Sequence, residues 1–163
     1  MQTPQIPIII DVESSGFGRG SYPIEIGVAL PDGSTHCYLI KPLKEWDHWS
    51  EESEQIHHIS RDILRTRGRE ITDVADALNQ LLAGETVYSD GWGMDNSWIA
   101  RLFDSAQRIQ KFRVAQLQGL FNEQQYDNWH QLHQQVIDEF NITRHRASSD
   151  ALLIQKTFLL GRG

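Results

Sequence analysis

Hydrophobic positions along the chain change rhythm about a third of the way in. Before that point they run together or alternate at every second residue, as strands require; after it they mostly recur every three or four residues, as on one face of a helix. The opening run Ile6-Pro7-Ile8-Ile9-Ile10-Asp11-Val12 is rich in β-branched residues and predicts a buried strand. Ser14 to Ser21, which holds Gly16, Gly18 and Gly20, predicts a turn. Ile24, Ile26, Val28 and Leu30 alternate with other residues and predict a second strand. Pro31-Asp32-Gly33 is a tight-turn signal, and His36 to Ile40 predicts a third strand that completes an antiparallel meander.

From Ser53 the pattern turns helical. Ser60 or Asp62 is placed to cap one short helix, and Thr72 another that carries Val74, Ala75, Leu78 and Leu82 at helical spacing and ends at Gly84. Thr86-Val87-Tyr88-Ser89 predicts a fourth strand. A helix follows from near Asp95, with Ile99, Leu102 and Phe103 facing inward, and Phe112 to Ala115 predicts a brief fifth strand. Gln124 to Phe140 reads as a polar helix with an apolar stripe through Leu132, Val136 and Phe140, and Ala147 to Leu160 as a final helix. Three strands followed by alternating helices and strands predict an α/β layered domain with a mixed sheet of about five strands.

Composition narrows the function more than the fold. A chain of 163 residues suffices for one domain with its own core, so a single domain over residues 1–163 is expected. Hydrophobic residues at 39% and charged residues at 23% are ordinary for a globular protein. No apolar run is long enough to span a bilayer, so no membrane partner is expected, and Met1 to Ile10 lacks the pattern of a signal peptide. Cys37 stands alone, which excludes an internal disulfide and a cysteine-built zinc site and points to a reducing cytoplasm. The formal net charge of −7 argues against a protein that coats nucleic acid. It leaves room for an enzyme that grips a few nucleotides, since carboxylates gathered around bound cations form a locally positive site.

The chemistry-bearing residues fall in three separated segments. Residues two apart in a strand share a face, so Asp11 and Glu13 project together at a strand end, where open α/β sheets place ligands. Their oxygens suit a hard cation such as Mg²⁺ or Mn²⁺, although an Asp-x-Glu pair can equally mark a solvated strand end. Gly16-Phe17-Gly18-Arg19-Gly20 hints at a nucleotide-cradling loop, but that loop must open a helix, and here Tyr22-Pro23-Ile24 leads into a strand. His145 and Asp150 sit five apart where the last helix begins. A loop histidine there is free to titrate as a general base, and Asp150 in the first turn can reach a metal. The plain alternative is that Asp150 favours a helix N-terminus and His145 is a surface residue. Asp95, at another helix start, is on its own no more than a cap.

Taken together, the segments resemble the DEDDh family of 3′→5′ exonucleases. The family's first motif matches Asp11-Val12-Glu13-Ser14-Ser15-Gly16-Phe17. Its following strand often holds Ile-Glu-Ile-Gly, here Ile24-Glu25-Ile26-Gly27, and a family-like segment appears as Ile56-His57-His58-Ile59. The third motif, His-x-Ala-x-x-Asp, matches His145 to Asp150 at every specified position. The middle motif departs from His-Asn-Ala-x-Phe-Asp: Asp90-Gly91-Trp92-Gly93-Met94-Asp95 keeps only the last residue, with Asp90 a rival or an extra acid.

The resemblance implies a ribonuclease H-like fold, with two Mg²⁺ or Mn²⁺ ions held by Asp11, Glu13, Asp95 and Asp150, and His145 as general base. It implies as substrate the 3′ end of single-stranded DNA or RNA. Gly16, Phe17 and Trp92 are the candidate substrate contacts, Phe17 by stacking on the terminal base or else as a buried loop anchor, and Trp92 as a base platform or else as packing material. Arg19, Arg144 and Arg146 are candidate phosphate contacts or plain surface charge. His57 and His58 read as packing around a short helix, and His130 and His133 as structural or solvated. The rival functions are an idle nucleic-acid-binding module, a proofreading subunit and a hydrolase of short oligomers. The oligomeric state stays open, a homodimer included, with Trp46 to Trp49 and the polar helix from Gln124 either partner surfaces or packed on their own domain.

Overall fold

The computed structural model describes residues 5–91, 93–142 and 144–163. Strands β1 (Ile9–Ser14), β2 (Pro23–Ala29) and β3 (Thr35–Leu39) form the antiparallel meander. Three helices follow, α1 (Glu51–His57), α2 (Arg61–Arg67) and α3 (Ile71–Leu82). Then come β4 (Thr86–Ser89), α4 (Met94–Ala106), β5 (Arg113–Gln116), a short 3₁₀ turn, α5 (Glu123–Phe140) and α6 (Ala147–Arg162). The sheet order is β3-β2-β1-β4-β5, with β4 parallel to both β1 and β5. The α/β architecture with a five-stranded mixed sheet is the one the hydrophobic pattern predicts. Among the described residues, no helix is long and apolar enough to cross a membrane.

The sheet is packed on both faces, and side-chain parity along β1 divides them. Ile10 and Val12 join the larger core with Val74, Leu78, Ile99 and Leu102 of α3 and α4. Ile9 points the other way, onto Ala151, Ile154 and Phe158 of α6. Asp11 and Glu13 share the parity of Ile9 and therefore the α6 face. Double coverage also corrects the reading of β2 as an alternating strand: every one of its residues is buried. Its second face carries Glu25, Gly27 and Ala29, which lie under α6 instead of in water.

Helix starts differ from expectation in two places. Ser50, whose hydroxyl accepts the Ser53 N–H at 3.2 Å, opens α1, a helix the pattern does not predict because its seven residues are mostly charged and polar. Ser60 caps α2 as expected, but α3 begins at Ile71, one residue ahead of the predicted cap Thr72. Trp46 is buried and stacked on Tyr22, and Trp49 packs its ring against His57, so both tryptophans serve their own fold.

Candidate active site

Parallel pairing brings the carboxyl ends of β1 and β4 to one edge of the sheet, and the first turns of α4 and α6 converge on it. Oxygens of Asp11 and Glu13 from β1 and Asp150 from α6 all lie within 4.8 Å of one another. Asp95, in the first turn of α4, is buried beside them and accepts a 2.6 Å hydrogen bond from the Ser89 hydroxyl at the end of β4. A Cβ on Gly91 would stand 2.8 Å from the Asp95 carboxyl carbon, so a side chain there would displace the carboxylate. The divergent middle segment therefore has its own logic: Ser89 holds Asp95 and Gly91 clears its place.

Burial, and after it mutual repulsion, raises the pKa values of these acids. Burial pushes Asp11 well above the usual carboxylate range, and the charges of Asp95, Glu13, Asp150 and Asp90 add to it. Glu13 is pushed up to about 9, first by burial and then by Asp150. Burial takes Asp95 to about 7 against the opposing Ser89 hydrogen bond, and takes Asp90, with Asp150 beside it, to about 6. Asp150 is raised by burial despite the His145 N–H. A cluster of oxygens that resists joint ionisation in a confined site is the donor set a hard divalent cation fits, because the cation removes the repulsion and supplies what water no longer does.

An ion pair between a buried glutamate and a half-exposed arginine seats the third segment on the second strand. Asp11 and Glu13 lie directly across the ladder from Gly27 and Glu25. Glu25, fully buried, accepts Arg146 Nε at 3.1 Å on both oxygens, Arg146 Nη2 at 2.6 Å and the Ala147 N–H at 2.7 Å. On Gly27 a Cβ would lie 2.1 Å from the Ala147 carbonyl carbon, so α6 starts in direct contact with the β2 backbone. These two residues fix where His145 and Asp150 stand relative to Asp11 and Glu13. Arg146 is thus more than plain surface charge, being paired with a fully buried carboxylate. The sequence held a signal for this, a glutamate inside the apolar run Ile24-Glu25-Ile26, which calls for a buried partner.

His145 is a non-glycine residue at φ 68°, and its backbone N–H donates to both Asp150 oxygens at 3.1 Å. Backbone held in this sparsely populated region recurs at functional sites. Next to the acids lies a pocket of about 230 Å³ that includes Glu13 and Asp95 and has apolar walls from Val12, Phe17, Ile56 and Trp98. Phe17 is 71% exposed with its ring 6.2 Å from that of Trp98, which excludes a buried loop anchor. Gly16 does not line the pocket; its φ of 149° and a Cβ position 2.7 Å from the Ser50 Cβ both demand glycine. Trp92 lies outside the described residues. Trp98 and Ile56, not singled out from sequence, form walls instead. His57 also lines the pocket; its Nδ1 accepts the Ile59 N–H, so its proton sits on Nε2, and burial lowers its pKa to about 4.

The backbone matches solved structures of exonuclease I. A moderately thermophilic exonuclease I from Methylocaldum szegediense superposes with a TM-score of 0.69 at 12% identity, over 91% of this chain and 38% of that one. The fold is shared with exonuclease I. E. coli exonuclease I in complex with a dA16 oligonucleotide gives 0.67 at 11% identity, over 92% of this chain and 40% of the other. The zinc-bound form of the E. coli exonuclease I–ssDNA complex gives 0.64 at 10% identity, over 95% and 40%. This chain spans about two fifths of the length of those proteins. No protein-family model matches the chain, and no curated protein matches it in sequence. The ribonuclease H-like architecture expected from the motifs is the one found.

Proposed function

We propose that the chain is a divalent-metal-dependent 3′→5′ exonuclease, folded as one domain over residues 1–163, that releases nucleoside 5′-monophosphates from single-stranded DNA or RNA. The observation that carries this reading is the close gathering of Asp11, Glu13 and Asp150 oxygens beside an apolar pocket on an exonuclease I-like fold. The pocket takes the terminal nucleoside, with its base against Phe17 and Trp98. The scissile phosphate then lies over the carboxylates.

Asp11, Glu13, Asp95 and Asp150 are the ligands for Mg²⁺ or Mn²⁺. When bound, the cations supply Lewis-acid activation of the attacking water and neutralise charge on the phosphate and the departing 3′ oxygen. His145 accepts the proton of that water at its ring, while its backbone N–H keeps Asp150 oriented. Ser89 and the Glu25–Arg146 pair hold Asp95 and α6 in register. The Glu25-seated His145–Asp150 segment favours an enzyme over an idle binding module, since nucleotide binding alone does not call for it.

A time course on 5′-labelled single-stranded DNA and RNA, with Mg²⁺, with Mn²⁺ and with chelator, tests the reading beside Asp11→Ala. The expected result is a ladder shortening from the 3′ end that chelator and the substitution both abolish. Intact polymer in every lane, from a folded protein that binds Mn²⁺, would refute it.

A further inference from the structure

The acidic cluster borders a second space whose chemistry differs from that of the apolar pocket. This cavity, of about 130 Å³, shares no lining residue with the first pocket. Its walls are Asp11, Asp90 and Asp150 together with His133 from α5 and Arg144 from the segment before α6, over a floor from Leu153.

Three arginines are engaged by the fold. Arg146 is bound to Glu25, Arg61 donates to the Asp47 carbonyl beside the Trp49 ring, and Arg101 donates to the Ser21 carbonyl over the Trp46 ring. Arg144 is exposed and, among the described residues, enters no salt bridge. It lines this cavity together with Asp90, Asp150 and His133. A strand with its terminal nucleoside in the apolar pocket and its scissile phosphate over the carboxylates must leave by another side. The cavity wall with Arg144 and His133 offers cationic and hydrogen-bonding groups for its next phosphate.

We propose that Arg144, with His133 beside it, forms a phosphate-binding subsite for the linkage immediately 5′ of the scissile one. The proposal rests on the exonuclease reading above. It explains how a chain of net charge −7 grips an anionic strand with a footprint of very few phosphates. Arg144 acts there by binding, so its removal belongs in KM more than in kcat.

The test uses a short single-stranded oligonucleotide, of whichever sugar the protein cleaves, and a twin with one uncharged methylphosphonate immediately 5′ of the scissile linkage. Initial rates of the first cleavage are compared for the wild type, Arg144→Ala and Arg144→Lys. The wild type is expected to lose about tenfold in kcat/KM on the methylphosphonate twin. Arg144→Ala is expected to lose a similar factor on the parent, mostly in KM, and to cleave both substrates alike; Arg144→Lys recovers part of the loss. An Arg144→Ala protein as efficient as wild type on the parent overturns the subsite. So does a variant that is slower yet still loses tenfold on the twin, because arginine and phosphate would then act independently. A wild type that cleaves neither polymer refutes the exonuclease reading instead, before any variant is compared.

Discussion

Replacing Arg146 by alanine strands a charge, and the cost can be worked from the contacts. In the native protein, burial disfavours the Glu25 carboxylate, but Arg146 and the Ala147 N–H outweigh it and hold its pKa below the usual glutamate value. Arg146→Ala removes all three guanidinium contacts and leaves Oε1 with the Ala147 N–H. Stranding one partner of a buried pair costs about 3–5 kcal/mol. Here the Glu25 side chain is 0% exposed and that of Arg146 45%, so water can enter from the arginine side, and the low end, about 3 kcal/mol at pH 7, is expected. With an m-value of about 2 kcal/mol/M, the urea midpoint falls by about 1.5 M. The pH dependence has a definite sign. A carboxylate with a lowered native pKa contributes stability above its unfolded pKa of about 4.3 and loses it as pH falls through the native value. The gap between wild type and variant is therefore widest near neutrality and narrows in acid, where Glu25 is protonated in both. Adding Glu25→Gln to the variant removes the stranded charge and recovers part of the loss at pH 7. Urea titrations at neutral and acid pH measure all of this. A variant within about 0.5 kcal/mol of wild type at pH 7 would refute the reasoning, as would a loss equally large in acid, which would assign the effect to packing of the arginine stem.

Three further outcomes follow from the site. Phe17→Ala leaves stability within about 0.5 kcal/mol, since the ring is exposed, but costs about 1–3 kcal/mol of terminal-base binding, read as an increase in KM. Asp95→Asn abolishes cleavage with either metal, whereas Asp90→Asn leaves measurable turnover; the reverse order in the same assay would transfer the ligand role to Asp90. Without divalent cations, the folded state holds protons on Glu13, at about 9, and Asp95, at about 7, that the unfolded chain releases near pH 4. Raised carboxyl pKa values make the metal-free protein less stable as pH rises from about 5 to 9, and Mn²⁺ should flatten that slope in thermal melts against chelator.

What the sequence could and could not disclose follows from the range of each interaction. Strand and helix periods are local, so Thr86 to Ser89 appears in the sheet at the predicted residues and the two long C-terminal helices fall within two residues of expectation. The N-cap of α1 is local too, but Ser50 precedes a run with too few apolar residues to announce a helix. Burial of β2 on both faces was not legible from its alternation, because what covers Glu25 and Gly27 is a helix more than a hundred residues later.

The same distinction governs the site. Two acids on one face of a strand are legible from period two alone, and a resemblance in order suggested their companions; only the fold could bring Asp11, Glu13 and Asp150 within 4.8 Å. Residues that act through a partner stayed silent. Ser89 gains meaning from Asp95, Gly91 from the space Asp95 needs, and Glu25 from Arg146. The arginines make the point most plainly. Arg144 and Arg146 are two residues apart and indistinguishable in sequence, yet one is consumed by a buried carboxylate and the other faces the acidic cavity. Which cation is left for substrate is decided by which one the fold has already spent, and that is a property of tertiary pairing alone.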